Sequence, residues 1–296
     1  MDRGLTGLSR AATGLVVATW LLLVVGASVR VNGAGLACPD WPLCFGQVVP
    51  TIDLGVAFEF GHRVYAGAIS LGFLALAGWV WRLRSQLPTW LPAAVGMAGL
   101  VLVTQVVLGG LTVLQLLAEW TVASHLLVGN LFLSALSVIA LSIRDGNGPR
   151  ARLGWGRRLV LLTPIFLIPL QLVIGGFVSS SGAGLVCGTF PSCGGGAWFP
   201  SFDGLLGLQV THRLVAWLLL GSAILAMVAG WREPIVAGAA RLLALAVALQ
   251  GVLGAANVLL RLPAEVTLLH TAGAGFVVLT GTALAWKVAR SLLPGQ

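Results

Sequence analysis

The chain has 296 residues, of which 58% are apolar and only 9% charged, whereas a soluble domain carries roughly 25% charged residues. That balance excludes a water-soluble globular protein and points to an integral membrane protein. The formal net charge of +8 would suit nucleic acid or another polyanion, but the positions of the basic residues exclude that class.

A spanning helix needs ~20 apolar residues, and eight segments supply them. The first, 11–29, follows Arg3 and Arg10 and could be mistaken for a cleaved signal peptide. Its length and its duplicate later in the chain argue that it is retained. It leads into an outward loop, Gly26-Ala-Ser-Val-Arg-Val-Asn-Gly33-Ala-Gly35-Leu-Ala-Cys38-Pro-Asp-Trp-Pro42-Leu-Cys44. The second span, 60–81, opens on Glu59-Phe-Gly-His62-Arg63; the third, 91–115, contains Gln105-Val-Val-Leu-Gly109; the fourth, 121–143, carries His125. The remaining spans are 159–178, 208–230, 237–258 and 265–286.

The second four spans repeat the first four. Gly175 to Cys193 aligns without gaps to Gly26 to Cys44, Gln209-Val-Thr-His212-Arg213 answers the Glu59 motif, Gln250-Gly-Val-Leu-Gly254 answers Gln105 to Gly109, and His270 answers His125. The offset stays between 145 and 150. Four spans per copy give both copies one orientation, a parallel repeat. The expected domains are therefore an N-terminal half, 1–145, a linker, 146–158, and a C-terminal half, 159–296. The fold class is all-α integral membrane, with eight transmembrane helices as two pseudo-symmetric four-helix bundles.

Arg82, Arg84, Arg144, Arg150, Arg157, Arg158, Arg232, Lys287 and Arg290 fall on the side of the termini, and only Arg30, Arg63, Arg213 and Arg261 fall towards the other. The positive-inside rule then makes both termini cytoplasmic. The charge reports topology and no nucleic-acid partner. The cysteine loops face outward, in a compartment that is oxidising in bacteria.

The chain has four histidines, His62, His125, His212 and His270, each about five residues inside the outward start of an even-numbered span. One membrane histidine alone could be a packed polar residue or a proton relay. Four at one depth, paired by the repeat, point to axial ligands for two haems, His62 with His125 and His212 with His270. Zinc or copper is the weaker reading, because the only other candidate ligands are loop cysteines. Covalent c-type attachment is excluded, since no CxxCH occurs. The odd spans end in Gly26-Ala27, Gly109-Gly110, Gly175-Gly176 and Gly254-Ala255, which suits either ordinary helix packing or the walls of a macrocycle pocket. Arg63 and Arg213 follow ligand histidines and could pair with haem propionates or with lipid headgroups.

Cys38 and Cys44 have five residues between them, as do Cys187 and Cys193. Bonds within each loop are expected over cross-half pairing, with a structural lid weighed against a redox role for the first pair. Symmetry breaks at Glu59, whose counterpart Gln209 cannot ionise. A buried carboxylate near a haem site is costly unless it works or is paired. The expectations are an acid/base group at a substrate edge, or else a salt bridge with Arg63 or an outward-facing headgroup contact. Trp41 and Trp120 read as ordinary interfacial aromatics.

These residues together resemble the haem A synthase family, membrane enzymes that oxidise a methyl group of haem O to a formyl group. The resemblance covers nearly the whole chain and rests on GAGLACPDWPLC, Glu59-x-x-His62-Arg63, His125, the second cysteine pair, His212 and His270. It implies that His62 and His125 hold haem O as substrate or haem A as product, and that His212 and His270 hold a haem b cofactor. It also implies that Glu59 is the catalytic carboxylate and that the cysteine pairs are outer-face disulfides. Localisation would be the bacterial plasma membrane, with a haem O synthase upstream, terminal oxidase assembly downstream, and homo-oligomerisation left open. Two rivals are a di-haem b cytochrome that takes electrons from quinol and a parallel-repeat transporter. The first leaves the Glu59/Gln209 asymmetry unexplained, and the second needs a polar midplane site.

Overall fold

The protein is described by a computed structural model covering residues 3–146, 148–193 and 195–292. Eight helices span it: α1 Arg3–Val31, α2 Leu54–Arg82, α3 Leu91–Leu114, α4 Glu119–Asp145, α5 Trp155–Ser180, α6 Gly204–Gly230, α7 Pro234–Leu259 and α8 Ala264–Arg290. Among the described residues there is no strand, only an isolated bridge between Cys44 and Gln47. Each helix is long and apolar enough to cross a bilayer. The shortest has 24 residues, about 36 Å at 1.5 Å per residue, against a hydrocarbon core of about 30 Å. The protein is an all-helical, multi-pass membrane protein.

The helices fall into two compact units, Met1–Asn147 and Gly148–Gln296. In the first, α1 packs on α2 and α4, and α3 on α4 and α2, which closes a four-helix ring. In the second, α5, α6, α7 and α8 close a ring in the same order. The core of the first unit includes Leu133, Leu136 and Ile139 of α4, all fully buried. Phe73 of α2 meets Phe132 edge-on, with centroids 5.5 Å apart. Pro164 and Pro169 lie inside α5, as membrane helices tolerate when neighbours satisfy the freed carbonyls.

Four helix starts differ from the sequence expectation by four residues or more, the largest being α1, which begins at Arg3 rather than 11. Helix α2 starts at Leu54 rather than 60, because the side chain of Asp53 accepts the Val56 amide at 2.8 Å and caps the first turn. Helix α6 likewise starts four residues early, behind Asp203. The part of the expected linker from Trp155 is already α5: Arg158 donates to the Ser291 hydroxyl and carbonyl at 3.1 and 3.0 Å, so its charge sits inside the helix at no cost in bonding. The histidines are consequently deeper than expected. His62 and His212 lie eight residues into their helices, about 12 Å, and His125 and His270 six residues, about 9 Å.

The turns after α3 and α7 place leucines where glycine is usual. Leu116 and Leu117 have φ of 50° and 62°, and Arg261 and Leu262 of 60° and 59°, at roughly 1–3 kcal/mol each. Leu117 donates to the Thr112 carbonyl at 2.8 Å and Leu262 to that of Asn257 at 2.7 Å. Their side chains lie under Gly35 and Gly184 of the cysteine loops, where a Cβ would come within 3.3 and 3.2 Å. The strain is thereby held by tertiary contact.

Candidate functional site

At the end of each unit that carries its cysteine loop, two imidazoles lie near one another. His62 and His125 are within electrostatic reach of each other, as are His212 and His270. Each ring rests on a glycine of the preceding odd-numbered helix. A Cβ on Gly26 would lie 3.0 Å from His62 Nε2, on Gly109 3.1 Å from His125 Cε1, on Gly175 3.0 Å from His212 Cε1, and on Gly254 3.3 Å from His270 Cε1. The small residues that end the odd helices therefore make room for the imidazoles.

A set of glutamines, which the sequence reading left without a role, sits one turn from these glycines. Gln105 Nε2 is 3.3 Å from His125 Nε2, and Gln171 Nε2 is 3.2 Å from His212 Nδ1. Gln250 donates to the His270 carbonyl at 2.9 Å. Each precedes its glycine by four residues, a Gln-x-x-x-Gly spacing that could have revealed them; in α1 the position holds Leu22. Hence His62 alone lacks this amide neighbour among the four.

Does this donor set fit a haem? Among the described residues no three His, Cys, Asp or Glu side chains converge, whereas zinc or copper bound by protein alone wants three or four ligands. Haem iron brings its own equatorial nitrogens and asks the protein for one or two axial imidazoles. His125 Nδ1 is buried without a hydrogen-bond partner, and glycines flank every ring. The residues fit a haem.

Both cysteine pairs are disulfides within their own loops, Cys38–Cys44 and Cys187–Cys193, with Cα–Cα separations of 4.8 and 4.7 Å. They are buried against Val56 and Val210 at the starts of α2 and α6. Arg63 ties the first loop down, donating to the carbonyls of Asp40 at 2.9 Å, Leu43 at 2.7 Å and Cys38 at 3.3 Å. Arg213 does the same in the second, to Cys187 at 2.8 Å, Ser192 at 3.1 Å and Pro191 at 3.3 Å. Both guanidinium forks thus hold loop backbone.

Glu59 is only 5% exposed. Its Oε1 accepts from Arg63 at 2.6 Å and its Oε2 from the Cys38 amide at 2.8 Å. The salt bridge weighed from the sequence is present, and the carboxylate also holds the backbone of disulfide-bonded Cys38. Gln209 replaces it with one long bond to the Gly184 carbonyl, 3.4 Å, and its Oε1 stays buried without a partner. Trp41, read as an interfacial aromatic, instead lies over Gly110, where a Cβ would come within 2.9 Å of its ring. The loop of the first unit therefore reaches from α2 across to α3.

Residues 9–57 and 54–282 match the COX15-CtaA family, described as cytochrome oxidase assembly protein. The chain belongs to that family. It is 30% identical to a protein named heme A synthase from Shewanella oneidensis, over 90% of this chain and 92% of the relative. A Methylobacterium protein of the same name is also 30% identical, over 89% and 86%. One from Halalkalibacterium halodurans is 29% identical, over 70% and 71%. Within the family frame, the histidines, Glu59 and both disulfides all lie inside the matched span.

Proposed function

We propose that this protein is a haem A synthase, an oxidoreductase that converts a methyl group of haem O to the formyl group of haem A. The observation that carries the reading is its likeness over nine-tenths of the chain to a protein of that name, together with one glycine-backed histidine pair in each unit. The first unit is the substrate half, where His62 and His125 hold haem O and later haem A. The second is the cofactor half, where His212 and His270 hold haem b. That assignment is supported by buried Glu59, one turn from His62, where the second unit has Gln209.

A bound haem b supplies one-electron redox chemistry that no side chain here can provide. The protein's own residues then have distinct jobs. The four histidines orient the two macrocycles. Glu59, one turn from His62, takes or guides protons lost from the oxidised methyl group, and Arg63 fixes the rotamer from which it acts. The Cys38–Cys44 loop, anchored by Arg63 and laid over Gly110 by Trp41, limits water at that edge. Any propionate pairing by Arg63 or Arg213 would use donors beyond those that hold the loops.

The two units are read as copies of one template in the bacterial plasma membrane, with termini inside and cysteine loops outside. The substrate comes from a haem O synthase, and the product serves terminal oxidase assembly. The deciding experiment is extraction and chromatography of the bound haems, with and without co-expressed haem O synthase. Haem b alone without it, and haem b together with haem O and haem A with it, are expected. Two equivalents of haem b in both preparations would make the protein a di-haem cytochrome.

A further inference from the structure

Three glutamines stand beside the ligand histidines, Gln105 on α3, Gln171 on α5 and Gln250 on α7. Each comes four residues before the glycine that backs a ring, so amide and glycine share one helix face. The glycine lets the imidazole lie close to the helix, and the amide reaches its edge. Gln105 Nε2 lies 3.3 Å from His125 Nε2, and Gln171 Nε2 lies 3.2 Å from Nδ1 and 3.4 Å from Nε2 of His212. Gln250 donates instead to the His270 carbonyl. Glycines of the even helices make room for two of these amides. A Cβ on Gly129, one turn after His125, would come within 2.9 Å of Gln105 Nε2, and one on Gly273 would collide with Gln250 Oε1.

Ordinary helix packing leaves the oxygens of these amides unexplained. Oε1 of Gln105, Gln171 and Gln250 is buried without a hydrogen-bond partner among the described residues, and so is His125 Nδ1. Leaving a buried polar atom unbonded is costly. An imidazole that ligates a metal through one nitrogen presents the other as an N–H, and such rings almost always donate it to an acceptor. A half-turn of a side-chain amide exchanges its NH₂ and its oxygen. The contacts at 3.3 and 3.2 Å therefore serve an imidazole N–H as well as a bare nitrogen. The unpartnered oxygens have a use once the histidines hold iron.

The units differ in how many ligands have such an amide. The offset that carries Gly26 to Gly175 carries Leu22 to Gln171. The second unit thus has a glutamine before both of its ring-backing glycines, and the first has one only before Gly109. His62 meets a leucine position where His212 has its amide. In other respects the two rings sit alike. Both rest on a glycine, and both precede an arginine that holds the cysteine loop of its own unit.

We propose that Gln105 and Gln171 are positioning residues, each accepting the spare N–H of its imidazole, and that Leu22 makes His62 the releasable ligand. The inference rests on the histidine pairs holding haem and on the first unit being the substrate half. A ligand whose N–H has no acceptor is a poorer donor to iron and is freer to turn about its side-chain bonds. Loss of such an outer partner typically weakens a metal site ~10–100-fold. The second unit keeps its haem through every turnover, and each of its ligand residues has an amide beside it. The first unit must admit a substrate and discharge a product. One weakly held ligand opposite a fixed one, His125, allows that while the macrocycle keeps its orientation.

The test follows haem loss to excess apomyoglobin from the purified full-length protein, made with co-expressed haem O synthase. The parent is compared with Leu22→Gln, which copies the second unit, with Gln171→Leu, which copies the first, and with Gln105→Leu. Each haem is compared only with itself across the variants, so its own partition into detergent cancels. Leu22→Gln should slow the loss of haem O and haem A roughly tenfold and leave haem b unchanged. Gln171→Leu should speed the loss of haem b roughly tenfold, and Gln105→Leu that of haem O and haem A. Gln171→Leu should also raise the haem b midpoint potential, because a ligand without its acceptor stabilises ferric iron less. An amide that only fills space would leave that potential alone. If a variant holds no haem, the remaining two decide. Unchanged loss of haem O and haem A in Leu22→Gln overturns the role of Leu22, and an unmoved haem b potential in Gln171→Leu overturns that of the glutamines. Either result leaves haem A synthesis standing. Two equivalents of haem b in the parent remove the function and the release argument together.

Discussion

Glu59 is the residue on which symmetry turns, and its geometry sets two different expectations. Glu59→Gln copies Gln209, which the second unit accommodates in the same place, so the fold and both haems should be kept. Loss of the ionisable oxygen should lower formylation by roughly a hundredfold or more, seen as haem O accumulating over haem A in extracts. Unchanged haem A would end the catalytic assignment. Glu59→Ala is a different experiment, because it strips Arg63 of its carboxylate. Arg63 keeps its carbonyl partners and 15% side-chain exposure, so the cost should be about 1–3 kcal/mol. The glycines allow a cleaner dissection. A methyl at Gly175 would crowd His212 Cε1 at 3.0 Å, whereas Gly61 has nothing within 4 Å of a new Cβ. Gly175→Ala should lower the b-haem content measured as pyridine haemochrome, and Gly61→Ala should leave it unchanged.

At the scale of single elements, the first cysteine loop is held by three independent devices: its disulfide, Arg63 and Asp40. The Asp40 carboxylate accepts the Gly46 amide at 2.8 Å and the Phe45 amide at 2.7 Å, which holds its pKa below the usual aspartate value. Because the folded pKa is depressed, this contribution is complete above the unfolded value of about 3.9 and fades as pH falls through the folded one. Amide exchange at Phe45 and Gly46 should therefore quicken in acid beyond its intrinsic pH dependence, and Asp40→Asn should abolish that acid step. An identical profile in the variant would refute it. The elements themselves were legible from hydropathy, since all eight spans are found, although α1 begins at Arg3 rather than 11. The start of α2 was not, because the side-chain cap from Asp53 that sets it carries no hydropathy signal. The histidine pairs and both disulfides could be read from the repeat. The bonds from Glu59 to Cys38 and from the glutamines to the histidines could not, because they depend on which helix faces meet. Trp41 was missed for the same reason: its partner, Gly110, is remote in sequence.

In each unit the basic residues gather at one end, and this fixes a prediction about orientation. Arg82 closes α2, Arg144 lies in the last turn of α4, Arg157 and Arg158 open α5, and Lys287 and Arg290 close α8. Each lies at the end of its own unit opposite that unit's cysteine loop, and translocating so many cations is disfavoured. Val48 in the first cysteine loop is 77% exposed, and Ser85 is exposed in the 3₁₀ turn Arg84–Gln86 after α2. In intact cells Val48→Cys should react with a membrane-impermeant maleimide, and Ser85→Cys only after permeabilisation. The reverse pattern would place both cystines in a reducing compartment, where glutathione would work against them, and would move the histidine pairs to the cytoplasmic leaflet. Orientation, disulfide chemistry and haem position are thus linked, so the labelling experiment tests all three through one pair of residues.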